Sequence, residues 1–254
     1  LEPKMIVRQE NENFYLDIPK GYMKWGFENI ELLLGRDEIE YGFGFSGGMN
    51  ISTNAQPITM AKISTPHFFH FPWIFKYMGK VRFEFFFSIL EQDRINSYPA
   101  LFGMAFMFKT FRFFEWGFSR ITMLGGAGTD GISFGEYFVE AVTGARIYDS
   151  SGINPGNGTF GYYFLFTLPF LRNTRIYFNG YLEDFLNTEW FFTRDLAFST
   201  GADIPRLNSK GNWSAATEFV KTTQITYRSG VYSDGFTFDR ELLGHHIGPD
   251  AWGN

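Results

Sequence analysis

The chain has 254 residues, 33 of them Phe, with aromatics at 20% and charged residues at 19%. A formal net charge of −5 and no Lys/Arg-rich run give nucleic-acid binding little electrostatic support. The absence of cysteine excludes disulfide staples, thiolate metal sites and a Cys nucleophile. So aromatic a chain should be strongly apolar on average, yet mean hydropathy is −0.15. No apolar run reaches the ~18 residues of a spanning helix. The densest stretch, HFFHFPWIFKYMG at 67–79, is broken by His67, His70, Pro72 and Lys76. A β-barrel in an outer membrane reconciles these facts, because alternate residues of each strand face lipid and a polar lumen.

The chain opens on LEPKMIVRQENENF, which has no apolar signal-peptide core. An exported protein would then be present here as a mature form or a fragment. Two-residue periodicity follows. Met23, Trp25 and Phe27 alternate with Lys24, Gly26 and Glu28, and Ile39, Tyr41, Phe43 and Phe45 with Glu40, Gly42, Gly44 and Ser46. Over 80–90, Val81, Phe83, Phe85, Phe87 and Ile89 oppose Lys80, Arg82, Glu84 and Ser88, with Phe86 and Leu90 as exceptions. Phe114, Trp116 and Phe118 oppose Glu115, Gly117 and Ser119, and the even-numbered residues from Phe160 to Phe170 form one aromatic-rich face.

Residues 174–185, TRIYFNGYLEDF, set Ile176, Phe178, Gly180 and Leu182 against Arg175, Tyr177, Asn179, Tyr181 and Glu183. Trp190, Phe192, Leu196 and Phe198 make a further stripe. The last one runs from Trp213 to Tyr227, opposing Glu218, Thr222, Gln224 and Arg228. Gly/Asn/Asp/Ser clusters separate these runs as turns. The expectation is an all-β chain, a partial transmembrane antiparallel outer-membrane β-barrel of about 10–12 strands. Many of its strands are longer than the about five to six residues of soluble ones and suit the about nine to eleven of spanning ones. With no linker or shift in composition, residues 1–254 read as one domain, incomplete at both ends.

Candidate chemistry is sparse. GGAGTDG at 125–131 lacks the Lys-Ser/Thr ending of a phosphate loop, and no helix clearly follows it, so it reads as a hairpin loop. His67 and His70 have no nearby carboxylate to complete a zinc site and read as part of an interfacial aromatic belt. His245, His246 and Asp250 read as a structural turn, since no GxSxG elbow supports a triad with Ser233. No cofactor, metal or catalytic residue is expected. Arg82, Glu84, Glu115, Glu140, Arg146, Arg175, Glu183, Glu218 and Arg228 would line the lumen. Nearly balanced in charge, they read as a cross-strand lattice holding the wall, or else as a polar or saccharide-binding passage. Asn208, Asn212, Trp213, Tyr232 and Trp252, in the late loops, are candidate sugar contacts. A porin-like channel for small solutes is the alternative function, and a soluble glycan-active enzyme a weaker one.

Three stretches carry a resemblance. They are STPHFFHFPWIFKYMGKVRFEFFFSILEQDR at 64–94, LFGMAFMFKTFRFFEWGFSRITMLGG at 101–126 and GFTFDRELLGHHIGPDA at 235–251. In this order they resemble the capsule assembly protein Wzi family, with EWGFSR, MLGG and GHHIGPDA the most specific pieces. The resemblance spans roughly residues 20–254. It implies an outer-membrane barrel of Gram-negative bacteria with a helical periplasmic part, and a lectin, not an enzyme, that attaches capsular polysaccharide to the cell surface. The family's helical region is not visible in this sequence, and fewer strands are expected than in a closed family barrel.

Overall fold

Alternation becomes strand over most of the chain. The computed structural model describes residues 4–10, 13–129, 133–144, 156–183, 196–249 and 252–253. Its strands are β1 (Lys4–Glu10), β2 (Asn13–Phe27), β3 (Ile30–Asp37), β4 (Ile58–Ser64), β5 (Phe69–His70), β6 (Lys80–Ile89), β7 (Ala100–Phe111), β8 (Phe114–Leu124), β9 (Gly156–Leu168), β10 (Thr174–Glu183), β11 (Ala197–Ile204), β12 (Ala215–Lys221), β13 (Thr237–Phe238), β14 (Glu241–Leu242) and β15 (Trp252–Gly253). One α-helix, α1 (Phe134–Thr143), is found among the described residues. A single sheet runs β1-β2-β3-β4-β6-β7-β8-β9-β10-β11-β12-β15, with β5 added against β6. Each pairing is antiparallel. Among the described residues β1 and β15 are its two edges.

The connections differ in length at the two ends. At one end β2–β3 and β7–β8 are joined by two-residue turns, β9–β10 by residues 169–173, β11–β12 by 205–214, and β4–β6 by 65–79, which carries β5. At the other end lie 38–57, 90–99, 125–155, 184–196 and 222–251.

Registers fix which side chains share a face. Phe83, Phe106, Phe118 and Tyr162 lie opposite one another across β6–β9, on the convex side. Ring contacts run along that surface, including Phe106–Phe118 at 5.2 Å, Phe108–Trp116 at 4.3 Å and Phe178–Phe198 at 5.6 Å. The concave side is packed. Leu33, Met60, Phe86, Leu101, Ile121, Met123, Tyr163 and Tyr181 of the wall are buried with Tyr41, Met49, Ile51, Tyr227, Tyr232, Phe236 and Leu243. Phe86 and Leu90 break the polar alternation for this reason: they face packed chain, not water. Close packing also sets Gly103, where an added Cβ would lie 2.0 Å from the Phe86 ring.

Three expectations are corrected. Residues 39–46 are not a strand. Gly42 and Gly47 take φ of 123° and 102°, which turn the chain off the sheet and into the concave interior. The last stripe also ends early, since β12 stops at Lys221 and residues 222–248 turn inward. Finally, a helix does follow the 125–131 loop. Ser133 caps α1 in a reciprocal capping box with Glu136, and Gly144 ends it in the left-handed conformation. The Glu136 carboxylate accepts the Ser133 N–H at 2.7 Å, so that helix end is already occupied by an anion. That hydrogen bonding holds the Glu136 carboxyl below its ordinary pKa. Of the described part of the stripe around 190–198, Phe198 lies on β11, while Trp190 and Phe192 lie outside the described residues.

Replacing Phe86 with Ala should cost about 3–5 kcal/mol, because the ring is 1% exposed and lies against tightly packed neighbours. Equilibrium urea unfolding measures it, and a loss below ~1 kcal/mol would mean that the interior is loosely packed.

Candidate functional site

Two irregular segments fill the concave face, and they bind each other. Ser52 donates its N–H to Leu243 O at 2.8 Å and its hydroxyl to Gly244 O at 2.6 Å. Tyr227 OH donates to Met49 O at 2.5 Å and accepts the His245 N–H at 2.9 Å. Arg94, on the 90–99 connection, donates to Thr237 O at 2.5 Å and Gly235 O at 2.9 Å. A small-solute channel needs an open lumen along this path, and the two segments occupy it.

The 38–57 segment is also tied to the wall. Asn50 donates to Ser119 Oγ at 3.0 Å and accepts from the Thr159 hydroxyl at 2.6 Å. Asn179 clamps Phe43 from both sides, its Oδ1 accepting the Phe43 N–H at 2.7 Å and its Nδ2 donating to Phe43 O. The Phe45 N–H reaches Tyr177 OH and Glu218 Oε2, each at 3.2 Å, while Tyr177 OH donates to Glu218 at 2.5 Å. His245, fully buried, places Nε2 3.6 Å from Glu218 Oε1. A Cβ on Gly42 would sit 2.7 Å from Asn179 Oδ1, so the close approach needs glycine.

Charges on the inner wall meet across strands. Glu84 faces Lys62 at 3.7 Å, Glu115 bonds Lys109, and Arg175 holds Asp203 at 2.7 Å. Lys24 and Glu31 form a further pair at 3.1 Å. Arg82 lies over the Phe68 ring at 5.6 Å and reaches Met107 Sδ. Glu183 is buried and accepts from Asn157 at 2.8 Å and from Tyr181 OH. Most of the countercharges are lysines that the aromatic stripes drew attention away from. Glu140 is corrected: it sits on α1, outside the concave interior. Arg228 is corrected too, since it lies in a turn of the inward 222–248 segment. Arg146 lies outside the described residues.

The candidate sugar contacts do not come together. Asn208 and Asn212 bond each other at 2.6 Å beside Trp213, which is 67% exposed, in the 205–214 connection at the short-turn end. Tyr232 is corrected as a sugar contact. It is buried in the packed interior and donates to Gly125 O at 3.0 Å, and burial pushes its phenol pKa up. Trp252 is placed by its backbone, opposite Lys221 of β12. Asp250 lies outside the described residues. No group of three or more His, Asp or Glu among the described residues could hold a metal ion.

Sequence reasoning missed a cleft. Glu40, Phe43 and Phe45 face Leu165, Arg175, Tyr177, Asp203, Ser214 and Ala216 across about 570 Å³. It forms where the inward segment stops short of the wall, toward the short-turn end. The run YGFGFSGG at 41–48 was its signal, since alternate glycines beside aromatics suit a chain that bends while presenting rings.

Asn179→Ala leaves both backbone groups of Phe43 without their side-chain partner, at on the order of 1–3 kcal/mol per buried group. The expected result is faster amide exchange at Phe43 and Phe45 with the exchange of β7 and β8 unchanged. Equal exchange at all sites would mean that Asn179 does not hold the segment.

The chain was compared with known proteins. Its fold is similar to that of the Escherichia coli outer-membrane protein Wzi, described as a carbohydrate-binding β-barrel involved in group 1 capsule assembly. The identity is 20% and the TM-score 0.75, over 96% of this chain and 53% of that one. The chain thus spans about half the length of the solved structure it matches. No curated protein matches it in sequence. The family model for capsule assembly protein Wzi matches residues 1–253, so the chain belongs to the capsule assembly protein Wzi family.

Proposed function

We propose that this chain forms part of an outer-membrane barrel that binds capsular polysaccharide and holds it at the cell surface during capsule assembly. The observation that carries the reading is the family match, which extends over residues 1–253. The fold supports a place in the bilayer. Strands β6 to β10 have 10–13 residues, enough for a tilted strand to cross, which takes about nine to eleven. The longest connections lie at one end and the two-residue turns of β2–β3 and β7–β8 at the other, as in barrels with a medium-facing and a periplasmic side. Around the short-turn end Phe27, Trp73, Tyr77, Phe111 and Phe170 are exposed, which suits an interfacial aromatic girdle.

Binding, without catalysis, suits the wall chemistry. Glu84, Glu115 and Asp203 each lie against a cation.

Deletion of the full gene should move capsule from the cell-bound to the released fraction. Unchanged retention on cells would sink the attachment reading. Placement in lipid has its own check. Phe85→Arg, on the outward face of β6, should cost about 2–4 kcal/mol in a bilayer, measured by urea titration in lipid vesicles. On a surface facing water such a change stays within about 0.5 kcal/mol.

A further inference from the structure

The two ends of the sheet carry opposite charge. The long connections are rich in carboxylates, among them Glu38, Glu91, Asp93, Asp234, Asp239 and Glu241. The connections at the short-turn end hold Lys76, Arg112, Arg172, Arg206 and Lys210, with Glu28 as their one carboxylate. Strands of ten or more residues keep the two ends ~30 Å apart. That is several times the ~8 Å over which charge is screened at physiological salt. The cationic end therefore acts by itself, although the chain's net charge is −5.

Three of these cations share one place. Arg172, at φ 56°, donates from Nη1 to Arg206 O at 3.3 Å and to Leu207 O, which ties residues 169–173 to residues 205–214. The Arg206 side chain runs past Gly211, where an added Cβ would lie 3.6 Å from Arg206 Cδ, and so lies next to Lys210. Neither connection contains an acid, and the Asp203 carboxylate on β11 is taken by Arg175. Arg172, Arg206 and Lys210 are exposed, and Phe170, Leu171, Leu207 and Trp213 are exposed beside them. Phe166 and Ile176, paired across β9 and β10, extend this apolar surface along the outward face. An apolar strip on the wall thus ends at a cationic cluster.

That combination selects a ligand with an anionic head and an apolar body. A soluble anion would use the cations but leave four large apolar side chains in water. A neutral headgroup would leave the cations without a countercharge. An anionic phospholipid answers both, because Lys and Arg at this depth reach the phosphate plane while apolar neighbours meet the acyl chains.

We propose that the Arg172–Arg206–Lys210 cluster is a docking surface for anionic phospholipid of the periplasmic leaflet. The cations hold the headgroup phosphate, and Phe170, Leu171, Leu207 and Trp213 lie against the upper acyl chains. The proposal rests on the outer-membrane reading above, which puts the short-turn end on the periplasmic side, and adds a lipid partner to it. The same pairing recurs around the rim, where Lys76 lies over the Tyr77 ring and Arg112 sits between the stacked Phe111 and Phe113.

The test reconstitutes the protein into vesicles of phosphatidylcholine alone, with phosphatidylglycerol, or with lipid A. Flotation at alkaline pH reports insertion, and native mass spectrometry identifies the lipid kept after mild detergent extraction. Arg206→Gln/Lys210→Gln removes two exposed cations and keeps the Arg172 bonds, which go to backbone oxygens. Arg228→Gln/Arg240→Gln removes the same charge at the opposite end. The wild type should retain phosphatidylglycerol over phosphatidylcholine by about tenfold or more. The first variant should lose most of that preference and the second should keep it. No preference in the wild type, or equal effects of the two variants, would overturn the docking surface while leaving insertion intact. A preference for lipid A that the first variant loses would overturn the phospholipid source and put this end in the outer leaflet. Failure to insert into any vesicle would count against the barrel reading itself, and the surface with it.

Discussion

The docking of residues 38–57 on residues 222–248 is the interaction on which the rest of the interior depends. A broad antiparallel sheet whose concave side carries Phe86, Leu101, Ile121, Tyr163 and Tyr181 needs something apolar to face them. Two segments that leave the sheet supply it, and the bonds from Ser52 to residues 243 and 244 and from Tyr227 to Met49 join them. Separately, each segment would expose backbone groups inside a wall that offers few partners. Together they satisfy one another and turn a lumen into a core.

That core accounts for the division of the wall. Where the segments pack, inward side chains are aromatic, aliphatic or, like Ser119, Thr159 and Asn179, neutral hydrogen-bonding groups, and glycines such as Gly103 make room for rings. Elsewhere the inward side chains are ionic and meet in cross-strand pairs, as with Lys24–Glu31, Lys62–Glu84 and Arg175–Asp203. Unpaired charges behind a wall would be costly, and pairing limits that cost without making the pairs a large source of stability. The cleft lies at the boundary between the two regimes. Asn179, Tyr177 and Glu218 stop the inward segment at Phe45 and leave the Arg175–Asp203 pair uncovered beyond it.

The strand faces were legible in the sequence wherever both were distinct. Residues 174–183 show it: Tyr177, Asn179 and Glu183 face inward, and Phe178 lies in the outer aromatic row. Alternation misled at 39–46 and 222–228, because the same period also describes a chain of glycines and aromatics that never joins a ladder. The Ser133–Glu136 capping box was readable, but a short helix beside a loop of small residues gives little periodicity. The candidate site was hardly legible. Asn208, Asn212 and Trp213 share one exposed connection, whereas Tyr232 serves the core. Phe45 and Arg175 are 130 residues apart in the chain and meet only because the inward segment reaches β10.

By itself the sequence determined an antiparallel wall with an aromatic outer face, and its EWGFSR and GHHIGPDA blocks carried the family resemblance. Both are local: side-chain alternation follows from the two-residue repeat of a strand, and a motif is contiguous. Only the tertiary structure decided that the lumen is filled, which charges meet, and that a cleft remains beside Phe45. Those outcomes depend on where two glycine-bent segments come to rest, and contacts between residues far apart in the chain leave no period in the sequence to read.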